Sequence, residues 1–318
     1  MEKKNSKNFN GVNKFKITTE ASGERLDKFL TGQLKEITRS QLQKLIKSDR
    51  ILVNKKPASA HYKLKDGDVV ELLGPKADNG ILPDLANLRV AETDEYLVIN
   101  KPTGMIVHGG PGIKEKTLAD SLLNSYPEIS DVGEDKIRPG IVHRLDKEAS
   151  GLMVVTKTSK SYNNLKKQFQ DRTIFKEYTA LVYGSLEKSE DKINFPIKRS
   201  AKGYKMAALP DNEEAENARE AITEFKTAQK LINYTLLKVK IKTGRTHQIR
   251  AHMAAYGHPI VGDNIYSTKR TREQNKKNAL GRIFLVATKL SFYDLAGNEQ
   301  TFTVDLPKEL EKFLTGCK

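Results

Sequence analysis

A single cysteine, Cys317, stands among the 318 residues, next to the last of them. One thiol cannot build an internal disulfide framework, nor a zinc or iron–sulfur site that needs several cysteines. Long apolar runs are missing as well. Hydrophobic residues make up 37% of the chain and are scattered in short stretches, well under the roughly 18 consecutive apolar residues of a membrane-spanning helix. The stretch 1–14 has lysines but no apolar segment, which speaks against a secretory signal and for a disordered basic tail. There is no internal repeat and no phosphate-cradling Gly-x-x-x-x-Gly-Lys loop. The expectation is a cytoplasmic protein with no membrane segment.

What the chain does have is positive charge. Lys and Arg number 55 against 40 Asp and Glu, a formal +15. Basic surface attracts phosphate and releases its counterions, so a polyanionic partner is the first class to consider. The length suits about two domains at roughly 150 residues each.

The first domain is expected over 15–73. Leu26, Phe29, Leu30 and Leu34 recur at helical spacing, as do Leu42, Leu45 and Ile46. Thr38 with Gln41 is a capping-box pattern that would start a second helix. Arg39, Lys44, Lys47 and Arg50 lie on that helix and its exit, where they suit a phosphate backbone as well as a solvated face. Short extended pieces follow at Ile51-Leu52-Val53 and Val69 to Leu72, with a polar turn at Asn54 to Pro57 between them. The module resembles the small α/β RNA-binding fold first recognised in a small-subunit ribosomal protein. The similar runs are Glu24 to Leu30, Arg39-Ser40-Gln41 and Ile51 to Asn54.

Residues 74–88, with Gly, Pro, Asp and Asn and little periodicity, read as a linker. The remainder, 89–318, alternates strand-like and helix-like pieces. Val90, Leu97 to Ile99, Ile141-Val142, Leu152 to Val155, Tyr178 to Tyr183 and Tyr234 to Lys242 read as strands. Lys160 to Gln170 reads as a helix with Tyr162, Leu165 and Phe169 on one side. The basic stretch Lys269 to Lys277 reads as an exposed loop.

Three segments carry candidate chemistry. His143 to Gly151 is a polar loop between apolar runs, a setting that holds side chains rigidly at a sheet edge. On residue types alone, a solvated turn in which Asp146 caps backbone amides is the simpler reading. Thr243 to Met253 passes from a strand through Gly244 to a helix that Thr246 can cap. Arg245 at the junction is placed to reach a carboxylate on a neighbouring loop. His247 and His252 are five apart, about 140° around a helix, which is poor spacing for a zinc pair; no metal is expected. In Lys176 to Gly184, Tyr178 shares a strand face with Ala180 and Val182, as core or as a platform for a base. A carboxylate, an arginine and an aromatic ring suit chemistry at a sugar–base bond.

These segments resemble the signature blocks of the RluA-type RNA pseudouridine synthases. Similar blocks also occur at Asn100 to His108 and Gly257 to Asp263, and together they span Val90 to Pro307. Two positions depart from the pattern: Ala149 stands where the family commonly has Thr, and Val286 where it often has His. The resemblance implies an α+β catalytic domain with a mixed, largely antiparallel sheet and a cleft across its middle. It implies Asp146 as the essential aspartate, Tyr178 as the active-site tyrosine and Arg245 as the basic partner of the aspartate. His143, Arg144 and Ile249 would bind substrate. It implies uridine isomerisation without a cofactor or an obligate protein partner, on ribosomal RNA first and transfer RNA second. Two rivals are a non-catalytic RNA binder of the same fold and a serine hydrolase suggested by His108-Gly109-Gly110-Pro111-Gly112. The hydrolase would need a Gly-x-Ser-x-Gly elbow, and the chain has none.

Overall fold

The computed structural model describes residues 13–34, 42, 46, 51–72, 82, 84–110, 113, 115–200, 203, 205–210 and 216–317. The chain divides into two compact units, residues 1–80 and 81–318.

In the first unit, β1 (Asn13–Lys16), β2 (Ile51–Val53), β3 (Lys56–Pro57) and β4 (Val69–Leu72) form an antiparallel sheet in the order β1-β4-β2-β3. Helix α1 (Leu26–Gln33) turns Leu26 and Leu30, one helical turn apart, onto the sheet's Ile51 and Val70. Leu42 and Ile46 are helical and join the same core. The other residues of that expected helix, with Thr38, Gln41 and all four cations Arg39, Lys44, Lys47 and Arg50, lie outside the described residues. Asn54 and Lys55 both have positive φ, the backbone of a tight hairpin turn. Strand β1 begins at Asn13, inside the stretch expected to be a disordered tail.

The second unit is built on one sheet. Its strands are β5 (Arg89–Glu92), β6 (Tyr96–Lys101), β7 (Ser150–Thr156), β8 (Phe175–Tyr183) and β9 (Glu190–Ile193). After the short hairpin of β10 (Ile197–Arg199) and β11 (Met206–Ala208) come β12 (Thr223–Lys230), β13 (Tyr234–Ile241), β14 (Leu285–Tyr293) and β15 (Glu299–Thr303). The order is β5-β6-β7-β14-β8-β13-β12-β9, with β15 on β14. Every pairing is antiparallel except β7 with β14, where Ser150 meets Val286 and Gly151 meets Ala287. This is the mixed, largely antiparallel sheet that the resemblance implies.

Alternation along the central strands sends side chains to the two faces of the sheet. Leu97, Ile99, Met153, Val155, Ala180 and Val182 face α2 (Leu118–Ser125) and α4 (Gln248–Ala255). Tyr96, Val98, Leu152 and Val154 face α3 (Ser159–Gln170), while Leu181, Phe284 and Val286 face α6 (Lys308–Thr315). No helix among the described residues is long and apolar enough to cross a membrane.

Two expectations fail here. Ile141-Val142 is not a strand: Ile141 makes one bridge, to Val155, before the chain leaves the sheet as the polar loop. The stretch expected to be a basic loop is helix α5 (Lys269–Asn278). Thr268 caps it by accepting from the Thr271 amide, and Ala279 ends it in the left-handed conformation. Lys, Arg, Glu and Gln are good helix formers, and with the cap in place side-chain amides of Asn275 and Asn278, not an apolar stripe, dock the run as a helix.

Candidate active site

The loop 143–149 leaves the sheet between β6 and β7 and is tied down at several points. His143 accepts a hydrogen bond at Nε2 from the Val154 amide at 3.0 Å and stacks on Phe169, ring centroids 4.8 Å apart. Burial, then the nearby Lys176 charge, pushes its pKa down to about 3, so it stays neutral and able to accept. Leu145 and Ala149 are buried and anchor the loop in the core. Thr103 donates to the Glu148 carbonyl at 2.6 Å, and the Gly104 amide to the Lys147 carbonyl at 2.7 Å.

Beneath these bonds sits Lys101, 0% exposed, whose ammonium donates to the carbonyls of Pro102, Met105 and Lys147 at 2.9, 3.0 and 3.4 Å. A buried loop must satisfy its carbonyls from inside the protein, and this cation does so for two loops at once. Burial lowers its pKa to about 7, while the charges of Asp146 and Glu148 act the other way. So braced, Asp146 keeps 17% of its side chain exposed, in the wall of a cleft of about 490 Å³.

The cation beside Asp146 is Arg250, not Arg245 as expected. Its Nη1 lies 3.4 Å from Asp146 Oδ2 and 3.0 Å from Glu148 Oε2. Its other edge grips Asp263, with Nε to Oδ2 at 2.7 Å and Nη2 to Oδ1 at 3.1 Å. Arg250 is 1% exposed and Asp263 0%. Burial disfavours the guanidinium's charge, but the bonds to Asp263 and the charges of Asp263, Asp146 and Glu148 outweigh it, leaving the pKa above its ordinary value. Asp263 is held in turn by the amides of Ile265 and Tyr266 at 2.8 and 3.0 Å. The guanidinium also rests on the Tyr266 ring, 5.4 Å from its centroid.

Arg245 lines the same cleft and donates from Nε to the Glu220 carbonyl at 3.1 Å. No ion pair joins it to Asp146 among the described residues. The difference follows from how α4 starts. Thr246 does not cap it; the residue before the helix is His247 in the left-handed conformation. The Gln248 side chain reaches back instead, accepting from the Arg245 amide at 3.0 Å and the Thr243 hydroxyl at 2.7 Å. This turn aims Arg250, with Ile249 and Met253, into the protein.

Both ring nitrogens of His252 are taken, and one of those of His247. His247 Nδ1 bonds the Tyr266 hydroxyl, and the buried His252 bonds Thr223 and the Phe195 carbonyl.

Tyr178 lies on β8 in the middle of the sheet, against Val239 of β13 and Ala287 of β14, and lines the cleft. Burial, and then the Asp146 charge, raises its pKa, so the phenol is neutral through the ordinary pH range. Ile249 is buried and lines the cleft beside it. Two residues before Tyr178, Lys176 presents an ammonium to the cleft over the Phe169 ring, 5.1 Å from its centroid, and burial lowers its pKa to about 8. Arg144 is exposed at the rim, its Nη1 3.3 Å from His108 Nε2. Arg138, Arg172 and Lys242 complete a basic lining around Asp146, the one carboxylate there among the described residues.

The sequence reading thus brings Asp146, Tyr178, Arg245, His143, Arg144 and Ile249 to one cleft, and it missed Arg250, Asp263, Lys101 and Lys176. Arg250 gave a usable signal. It is an arginine flanked by Ile249 and Ala251 on a helix whose neighbours are apolar, and a buried guanidinium requires carboxylates around it.

Residues 95–255 match the family model described as RNA pseudouridylate synthase, and residues 24–70 match that of the S4 domain. An uncharacterized RNA pseudouridine synthase of Aquifex aeolicus is 37% identical over 93% of this chain and 94% of its own. Ribosomal large subunit pseudouridine synthase C of Vibrio parahaemolyticus is 31% identical over 95% of each chain. Ribosomal large subunit pseudouridine synthase D of Neisseria meningitidis is 34% identical over 94% of this chain and 80% of its own. Among solved structures, human RNA pseudouridylate synthase domain containing 1 superposes with a TM-score of 0.56 at 25% identity, over 74% of this chain and 89% of that one. With such likeness along nearly its whole length, the chain belongs to the RluA-type RNA pseudouridine synthases, isomerases that here carry an N-terminal S4 domain.

Proposed function

We propose that this enzyme converts specific uridines of large-subunit ribosomal RNA to pseudouridine, with Asp146 initiating cleavage of the glycosidic bond. It works in the cytoplasm and needs no obligate protein partner. One observation carries the reading: an exposed edge of the Asp146 carboxylate faces an RNA-sized cleft, held by Arg250 and flanked by Tyr178.

The target uridine is turned out of its stack, at a cost of a few kcal/mol that is lowest for loop nucleotides. A cleft of about 490 Å³ is within the usual range for enclosing a ligand of that size. Arg144, Arg172, Lys242 and Arg245 around the opening suit the flanking phosphates. Arg250 is locked on Asp263, so it neutralises Asp146 without being free to leave for a phosphate. Tyr178 packs on the base as a neutral phenol. The bond between the anomeric carbon and nitrogen 1 breaks, the retained base turns, and carbon 5 bonds to the anomeric carbon. Carbon 5 gives up its proton and nitrogen 1 gains one. The reaction balances with no redox partner or energy input.

The ribosomal target is supported by the names of the relatives, by the S4 domain and by the charge of +15. The test is tritium release from RNA labelled at carbon 5 of uridine. Wild type should release tritium and Asp146→Asn should not, while still binding RNA. No release from total cellular RNA would leave only an RNA-binding role. Pseudouridine mapping in cells with and without the gene should show losses in large-subunit ribosomal RNA; losses confined to transfer RNA would overturn that target.

A further inference from the structure

Helix α5 carries five cations, Lys269, Arg270, Arg272, Lys276 and Lys277, against one acid, Glu273. At 100° per residue the five fall within an arc of about 160°, and all are exposed. Among the described residues only Lys276 has a carboxylate partner, Glu273 at 3.0 Å. The opposite arc holds Thr271, Asn275 and Asn278. Asn275 Oδ1 accepts from the Gly262 amide at 2.8 Å and the Tyr183 hydroxyl at 2.6 Å, and its Nδ2 donates to the Asp263 carbonyl at 3.0 Å. Asn278 donates to the hydroxyls of Tyr183 and Tyr234 at 3.3 and 3.1 Å.

Two features set this apart from an ordinary solvated face. A ten-residue helix with no apolar stripe is marginal by itself, and like charges such as Arg272 and Lys276, four apart, weaken it further. Directional amide bonds nevertheless fix its rotation, so the cations point one way. Its placement is also specific. The helix starts three residues after Tyr266, whose hydroxyl bonds the cleft residue His247 at 3.0 Å. Its start therefore lies within about 10 Å of chain from Tyr266. Its far end is tied to Tyr183, five residues along β8 from Tyr178, roughly 17 Å away. The ten-residue helix thus carries its cations along about 15 Å, a span matching several phosphates of one strand.

We propose that α5 is a second RNA-contact surface, a ridge that binds the phosphate backbone flanking the uridine held in the cleft, without reading its sequence. The inference rests on the proposed RNA isomerase function and extends it beyond the cleft.

The test measures binding, not turnover. The probe is transcribed large-subunit ribosomal RNA, titrated by filter binding over a salt series. Wild type is compared with Lys269→Glu/Arg270→Glu/Arg272→Glu/Lys277→Glu. A control, Lys188→Glu/Lys192→Glu/Lys226→Glu/Lys230→Glu, makes the same charge change elsewhere. The α5 variant should bind at least about tenfold more weakly, with a log–log salt slope shallower by about 2–3, since each lost phosphate contact removes roughly 0.7–0.9. The control should bind within about threefold of wild type. Unchanged affinity and slope in the α5 variant, or an equal loss in the control, overturns the proposal. If charge reversal unfolds the helix, the same four positions changed to Gln give the readout, with a smaller loss expected. Tritium release by wild type with affinity independent of α5 sinks this inference alone. RNA binding through α5 with no release by wild type sinks the isomerase reading alone.

Discussion

Replacing Arg250 by Met removes the cation that joins three carboxylates, and the structure sets the size of the effect. The two bonds to Asp263, at 2.7 and 3.1 Å, are charge-assisted and worth about 1.5–3 kcal/mol each. Their sum brackets the roughly 3–5 kcal/mol that breaking a buried pair costs, because Asp263 has no access to water once its partner is gone. Asp263 keeps its two backbone amides, which places the expected loss near the lower end, about 3 kcal/mol. The assay is a urea titration of Arg250→Met, Asp263→Asn and the double variant. If the cost comes from an orphaned charge, the double variant should be no less stable than Arg250→Met alone, a coupling of about 2–3 kcal/mol. Tritium release should fall as well, since Asp146 loses its counter-ion. Additive losses, or a wild-type midpoint for Arg250→Met, would refute the reasoning.

Lys176 is a cation only below about pH 8, because burial lowers its pKa. Turnover should therefore decline as pH rises through that value, and Lys176→Arg, which stays charged, should carry activity to higher pH. Identical alkaline limbs in the two proteins would show that this charge is not used. Gly151 has φ of +115°, and a Cβ there would lie 2.3 Å from the Ala287 carbonyl oxygen. Gly151→Ala should cost at least about 2 kcal/mol. Gly281→Ala, also at positive φ but with open space around it, should cost about 1 kcal/mol. Thermal melts of the two compare them, and equal losses would mean that the close approach is not rigid.

Much of the second unit was legible because its strands alternate and its helices are amphipathic. Tyr234 to Lys242 and Lys160 to Gln170 came within a residue or two of β13 and α3. The readings that failed share a cause: they depended on what a side chain meets across space. Arg245 and Arg250 both follow the glycine at the junction, and only the left-handed His247 and the reach of Gln248 decide which one turns inward. Ile141-Val142 has strand-forming residues but meets β7 at a single rung. In α5 the periodic signal was absent because amides, not apolar groups, dock it. Asp146 was found by its likeness to the family blocks; its residue type and loop position alone also fit a capped turn. The bracing by Lys101 links residues 46 positions apart, a separation that local pattern does not reveal.

Among the described residues only two pairs run parallel in the large sheet, Ser150 with Val286 and Gly151 with Ala287. They form a seam between two antiparallel ribbons, one delivering the aspartate's loop and the other the tyrosine. Acid and ring are therefore positioned by ribbons that could each fold with correct hydrogen bonding while misaligned with the other. A bulkier residue at the seam would shift the gap between them, so the spacing on which the chemistry depends is set by a junction with no reacting group of its own.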